Sequence, residues 1–264
     1  MKNVMYILAS GPSIADITDE EWKFLEDKKT LGIGGFPYSN RKTTYYMNIE
    51  TPEICKQYIE VIYMNGFIDT TLISPYIKSM ILANALGFKK FIPIITGTAL
   101  FMPDRKGWFM DEEYPPHKFK NCRANKFYQP LFRFRGSLSA AINLSLLLHA
   151  DEIRLVGVDL ASHEHFYNEN INISKDKYDK RISSRKYSYA KSGFDFDEKT
   201  MHSTDIPYRD VSRWGNRLLR PISDVIQWMN QELLEEGHNG IFITSKKSKL
   251  YIENKLEYKS ITDE

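Results

Sequence analysis

The run His202-Ser203-Thr204-Asp205 offers an imidazole, which titrates near neutrality and so can take a proton from a hydroxyl nucleophile; a lone histidine can equally be structural. Ser10-Gly11-Pro12-Ser13 directly follows the apolar run Val4–Ala9. There the glycine lets backbone and ligand approach closely, and a helix start behind Pro12 attracts anions. The motif reads either as phosphate or nucleotide contact or as a simple tight turn. Arg133-Phe134-Arg135-Gly136-Ser137 precedes another helix start. Two arginines beside unpaired backbone N–H groups make an anion cradle, with Ser137 and Ser139 capping the helix or touching the ligand; the alternative is a capped helix with surface arginines. Asp159, in Gly157-Val158-Asp159-Leu160, could bind a ribose or sugar hydroxyl, act as a base, or close an Asx turn. His163 and His165, with Glu164 and Tyr167 nearby, invite a metal reading, but no second ligand cluster follows them.

Alternating strands and helices must position these groups. Val4–Ala9, Thr30–Ile33, Thr44–Asn48, Thr71–Ser74, Lys90–Ile95, Glu152–Val156 and Gly240–Thr244 read as short buried strands. The spacing predicts a helix from Ser13 through Leu25, one opening at Thr51-Pro52, one over Ile77–Leu86, one from Gly136-Ser137 to His149, and one over Arg217–Glu236 that stops at Gly237. Such alternation implies an α/β domain with a mainly parallel sheet covered on both faces, and a ligand crevice beyond the strands' carboxyl ends. Gly11, Gly34, Asn48, Ile95 to Gly97, and Asp159 fall at such ends. The proline- and aromatic-rich segment 97–132 and the polar segment 161–200 break the rhythm and read as insertions, the second as a lid, within one domain over 1–264.

Composition excludes several classes. A net charge of +2, from 36 basic and 34 acidic residues, argues against a general nucleic-acid binder. Cys55 and Cys122 sit in unrelated contexts with no metal spacing, which fits a reduced, cytoplasmic compartment. Val4–Ala9 is too short for a signal peptide, and no stretch reaches the roughly 20 apolar residues needed to span a bilayer. The tail interleaves Lys246, Lys247, Lys249, Lys255 and Lys259 with Tyr251, Ile252 and Leu256. It reads as a solvated tail or as a basic amphipathic surface helix that would touch the inner membrane peripherally.

Taken together, these residues resemble the bacterial lipooligosaccharide sialyltransferases of glycosyltransferase family 42. Gly11-Pro12-Ser13 resembles the family's Gly-Pro-Ser after the first strand, and Tyr46-Met47-Asn48 its third-strand end. Gly157-Val158-Asp159-Leu160 resembles its Gly-Ile-Asp-Phe, and Tyr167 falls at the spacing of a family tyrosine that binds donor phosphate. His202-Ser203 with Thr204-Asp205 resembles its His-Ser…Thr-Asp. The resemblance implies a Rossmann-like variant of the GT-A type with a lid, and inverting transfer of sialic acid from CMP-sialic acid to an oligosaccharide or glycolipid acceptor. It implies neither cofactor nor metal. His202 would be the general base, and Tyr167 with Arg133 or Arg135 would stabilise the departing CMP phosphate. Ser10, Gly11, Pro12, Ser13, Gly34, Asn48, Gly136, Ser137 and Asp159 would face the donor.

The chain departs from the family at Ser10 and at Gly34 or Gly35, where the family has asparagines, and at Ala161, where it has a second tyrosine. Those departures leave Kdo, pseudaminic and legionaminic acids open as donor sugars. Gly136-Ser137 and Gly157-Val158-Asp159-Leu160-Ala161 also resemble the motility-accessory-factor proteins and a related pterin pyrophosphokinase. Pyrophosphokinase chemistry would need Mg²⁺ held by Asp159, Glu164 and Asp205. A non-enzymatic assembly component is a third reading, and the aromatic insertions could bury a homo-oligomer interface.

Overall fold

The computed structural model describes residues 2–98, 109–110, 118–162, 165–167, 202, 204–206, 208–209 and 218–263. Seven strands form one all-parallel sheet: β1 (Val4–Leu8), β2 (Lys29–Ile33), β3 (Tyr45–Met47), β4 (Thr71–Ser74), β5 (Phe91–Pro93), β8 (Glu152–Val156) and β11 (Ile241–Ile243). Their spatial order is β11-β8-β1-β2-β3-β4-β5. The chain therefore builds outward from β1 to β5, then returns to lay β8 on the other side of β1. This reversal is the topological switch point of a Rossmann-like α/β fold, where ligands bind beyond the strand ends.

Strand β1 shows why the sheet is central. Met5 and Ile7 join the core on one face, and Tyr6 and Leu8 join the core on the other. A strand buried on both faces needs a continuous apolar run, not an alternating one. Helices α1 (Asp19–Glu26), α2 (Pro52–Met64) and α3 (Ile77–Ala85) contribute to the face of Tyr6 and Tyr46. Helices α5 (Leu138–Leu147) and α6 (Ile222–Glu235) cover the opposite face. Every residue of α5 except Leu146 is buried, and its small Ala140 and Ala141 let it lie close to the sheet.

Several boundaries differ from the sequence reading. Ser13 through Leu25 is two elements: a 3-10 turn over Pro12–Asp16, then α1. Thr18 restarts the helix through a capping box, with Glu21 N–H donating to Thr18 Oγ1 at 3.2 Å and Thr18 N–H donating to Glu21 Oε2 at 2.9 Å. Lys90–Ile95 is also divided. After Pro93 the chain leaves the main sheet, and β6 (Ile95–Thr98) pairs in parallel with β7 (Pro130–Arg133) as a separate ribbon. Helix α6 begins at Ile222, because Pro221 cannot sit inside a helix beyond its first turn and pushes the preceding Arg220 toward extended backbone, and β10 (Leu218–Leu219) pairs with β9 (Tyr208–Arg209) before it.

Segment 97–132 is partly core. Phe119 and Cys122 of α4 (Phe119–Cys122), with Leu131 and Phe132 of β7, are buried under α6, and Phe119 packs edge-on against Phe132 and Trp228. Its residues 99–108 and 111–117 lie outside the described residues, as does most of 161–200.

The C-terminal segment is neither a solvated tail nor an amphipathic surface helix. Its helix α7 is only Lys249–Ile252, and Leu250, Leu256 and Ile261 are buried in the core. Four of its lysines are held in ion pairs: Lys247 with Asp16, Lys249 with Asp205, Lys255 with Asp224, and Lys259 with Glu152. Arg154 Nη1 donates to the carbonyls of Ser260 and Ile261 at 2.8 and 3.0 Å, tying the segment to β8. Burial raises the pKa of the Glu152 carboxyl, but hydrogen bonds from Lys2, Lys259 and Arg154 together outweigh it and bring it down to about 2. Among the described residues no helix is long and apolar enough to cross a membrane.

Candidate functional site

The carboxyl ends of β1, β2 and β8 open onto a cleft of about 220 Å³. Its floor is Ala9-Ser10-Gly11-Pro12 after β1, Ile33-Gly34-Gly35 after β2, and Gly157-Val158-Asp159-Leu160 after β8. One wall is the start of α5, with Arg135, Gly136, Ser137 and Leu138. The other wall carries Tyr58, His165 and Tyr167, and His202 and Thr204 complete the rim.

The floor is built by close backbone approach. Gly11 N–H donates to the Gly157 carbonyl at 2.8 Å, stitching β1 to β8 past the end of the sheet. A Cβ on Gly11 would sit 2.6 Å from that carbonyl and collide with Asp159 Oδ2, so this turn admits only glycine. Asp159 Oδ2 accepts the Ser13 amide at 2.9 Å, and Oδ1, also buried, has no hydrogen-bond partner among the described residues. Burial raises the pKa of this carboxyl and nearby Asp16 adds to the rise, against the lowering effect of the Ser13 hydrogen bonds.

His202 is fixed through Nδ1. Thr204 Oγ1 lies 2.8 Å from it, and the Thr204 amide donates to it at 3.4 Å, the outer limit of a hydrogen bond. The hydroxyl can donate to Nδ1 or accept from it, and only the tautomer with Nδ1–H donating to Oγ1 leaves Nε2 as the basic nitrogen. The turn itself is bolted to α6. Ile222 N–H donates to the Thr204 carbonyl at 2.9 Å, and Ser223 N–H donates to Asp205 Oδ1 at 2.8 Å.

Tyr167 is held face-on by His165, with ring centroids 5.0 Å apart and planes 7° from parallel, and it also packs against Tyr38 and Phe166. A Cβ on Gly35 would come within 2.7 Å of Tyr167 Cζ, so the absence of a side chain there makes room for the phenol. His165 Nδ1 lies 3.1 Å from Ser10 Oγ and 3.2 Å from the Ser10 carbonyl. A carbonyl only accepts, which puts the proton on Nδ1.

The cleft thus gathers ten of the residues singled out in the sequence: Ser10, Gly11, Pro12, Gly34, Arg135, Gly136, Ser137, Asp159, Tyr167 and His202. It does not gather three others. Ser13 reaches it only through its amide on Asp159. Asn48 sits at the end of β3, but its Nδ2 donates to the Cys55 carbonyl at 3.0 Å, inside the start of α2. Arg133 lies on β7 and does not line the cleft. Arg135 has a positive φ of 49°, and its Nη1 donates to the carbonyls of Ile206 and Arg220, at 2.9 Å for the latter. This guanidinium therefore braces the loop before α6. The start of α5 lines the same wall through Gly136, Ser137 and Leu138, and Ser137 makes no side-chain cap there; uncapped first-turn amides are the kind of group that binds anions.

Of the three carboxylates weighed as Mg²⁺ ligands, Asp159 lines the cleft, Asp205 is turned into α6, and Glu164, like His163, lies outside the described residues. Among the described residues no three His, Cys, Asp or Glu side chains form a group that could hold a metal ion. The sequence reading missed Glu50 and Tyr58. Glu50 could have been found by carrying the strand-end rule two residues past Asn48. Tyr58 had no such signal, because it lies on the buried face of α2. Searches with the chain return no matching family model, no matching curated protein and no matching solved structure.

Proposed function

We propose that this chain is an inverting, metal-independent glycosyltransferase that moves sialic acid, or a related nonulosonic acid or Kdo, from a CMP-activated donor to a hydroxyl of a bacterial surface glycan. One observation carries the proposal: His202 and Tyr167 meet Ser10, Asp159 and the start of α5 in a single cleft at the switch point. These are the roles the reaction needs. In the tautomer whose Nδ1–H donates to the Thr204 hydroxyl, His202 Nε2 takes the proton as the acceptor oxygen bonds to the anomeric carbon. The bond from that carbon to the phosphate oxygen breaks, and CMP leaves. Tyr167 and the first amides of α5 hydrogen-bond the charge that collects on the phosphate, which is commonly worth a few kcal/mol per donor. Asp159 takes a hydroxyl of the ribose or the sugar.

The motility-accessory-factor and pyrophosphokinase readings share the cleft but make different demands on ligand and metal. Thermal denaturation with CMP, CMP-sialic acid, CMP-Kdo, UDP and ATP separates them. Ligands that bind the native state raise the melting temperature by mass action. The glycosyltransferase reading expects stabilisation by CMP and a CMP-sugar with EDTA present. Stabilisation by ATP and Mg²⁺ alone, with no effect of CMP, would overturn it in favour of the pyrophosphokinase.

A further inference from the structure

The geometry points to Lys249 as the positioning residue that registers the His202 turn against the floor of the cleft; the inference rests on the transferase reading for its kinetic consequence alone. Lys249 touches both halves of the site by different groups. Its backbone N–H donates to the Asp159 carbonyl at 2.8 Å, while the preceding Ser248 Oγ donates to the Val158 carbonyl at 2.7 Å. Its ammonium pairs with Asp205 Oδ2 at 2.6 Å. Asp205 in turn donates its N–H to the His202 carbonyl at 2.8 Å. A chain of three short contacts therefore runs from the end of β8 through one lysine to the backbone of the imidazole.

Charge makes this link firm. The Asp205 side chain is 1% exposed, and a carboxylate in that position must be paired. Its other oxygen is occupied by the Ser223 amide, which neutralises no charge. Lys249, at 32% exposure, reaches it from the surface, and its second acidic neighbour Glu253 is a looser contact at 3.6 Å. The pairing also explains why a lysine-rich C-terminal segment folds against the core at this point. Neither Lys249 nor Asp205 lines the cleft, so any effect on the reaction passes through the placement of His202.

The test uses the full chain carrying Lys249→Met or Lys249→Arg. Misplacing a reacting group by a fraction of an ångström costs a large factor in rate, so Lys249→Met is expected to lower kcat for transfer from the CMP-sugar by about tenfold or more. KM for the donor should stay within about twofold, because the floor and the start of α5 are untouched. Lys249→Arg should restore most of kcat. A substrate-independent readout accompanies these: the ¹³C–¹H imidazole spectrum. The His202 cross-peak should move in Lys249→Met and return in Lys249→Arg, while that of His238, anchored to the Ala150 carbonyl at 2.9 Å, stays in place. If Lys249→Met does not fold, Lys249→Gln, which keeps a donor for Asp205 without the charge, is read the same way. An unmoved His202 cross-peak in a folded, charge-less variant overturns the inference, as does unchanged kcat. A wild-type chain that transfers nothing from any CMP-sugar defeats the transferase reading, and the spectrum still decides the role of Lys249.

Discussion

Asp159 carries a carboxylate in a place that works against the stability of the fold. Burial raises its pKa above the ordinary 3.8, so the native state favours the protonated form more than the unfolded chain does. The sign follows from linkage: stability is lost as pH rises from the ordinary value through the raised one, and the loss persists at neutral pH. Asp159→Asn cannot ionise, and its side-chain oxygen can still accept the Ser13 amide. Urea denaturation should therefore find the Asn variant at least as stable as wild type at pH 7, with any advantage shrinking as the pH falls below the carboxylate range. Affinity for CMP should fall in the same variant. A variant destabilised at pH 7 would mean that the charge supports the fold and not the ligand. A buried carboxylate kept at a cost in stability is a mark of function more than of packing.

At the scale of elements, the strand ends were legible and the lateral placements were not. Val4–Leu8 and Glu152–Val156 announce themselves as buried strands, and Gly11 and Asp159 follow them directly, so the floor of the cleft could be read from local pattern. Asn48 follows its strand just as directly, yet its amide turns to the Cys55 carbonyl. Sequence spacing locates a residue at a strand end without fixing the direction of its side chain. Arg135 does line the cleft, but its guanidinium also donates to carbonyls of Ile206 and Arg220, far from it in sequence, which no local window contains. Gly35, in the turn after β2, was visible only as a possible replacement for a family asparagine, although its lack of a Cβ is what admits Tyr167. Its φ of −76° is open to any residue, so Gly35→Ala isolates the steric effect. That variant should keep its melting temperature within a few degrees while losing about tenfold or more in CMP affinity, by displacing the phenol that the proposed function assigns to the phosphate. CMP affinity equal to wild type would remove Tyr167 from the ligand site.

Over the whole molecule, the order of the chain explains how dispersed residues come to share one cleft. The sheet grows away from β1 and then returns to it, which sets Ser10 beside Gly157 and lets His165, Tyr167 and His202, all after β8 in the chain, line the same cleft. The C-terminal segment closes this arrangement. Tyr6 Oη donates to the Ile261 carbonyl at 3.1 Å, Arg154 holds Ser260 and Ile261, and Lys249 bridges Asp159 and Asp205. Read as composition, the same lysines suggested a solvated or membrane-facing tail, because their acidic partners Asp16, Asp205, Asp224 and Glu152 lie elsewhere in the chain. The central claim joins this cleft to a reaction, and it is tested most directly by transfer from a CMP-activated nonulosonic acid to a glycan acceptor in EDTA, comparing wild type with His202→Ala. The account predicts metal-independent transfer by wild type, loss of about a hundredfold or more in kcat for the variant, and CMP binding retained by both. Transfer by His202→Ala at the wild-type rate, or transfer that stops in EDTA, would contradict it.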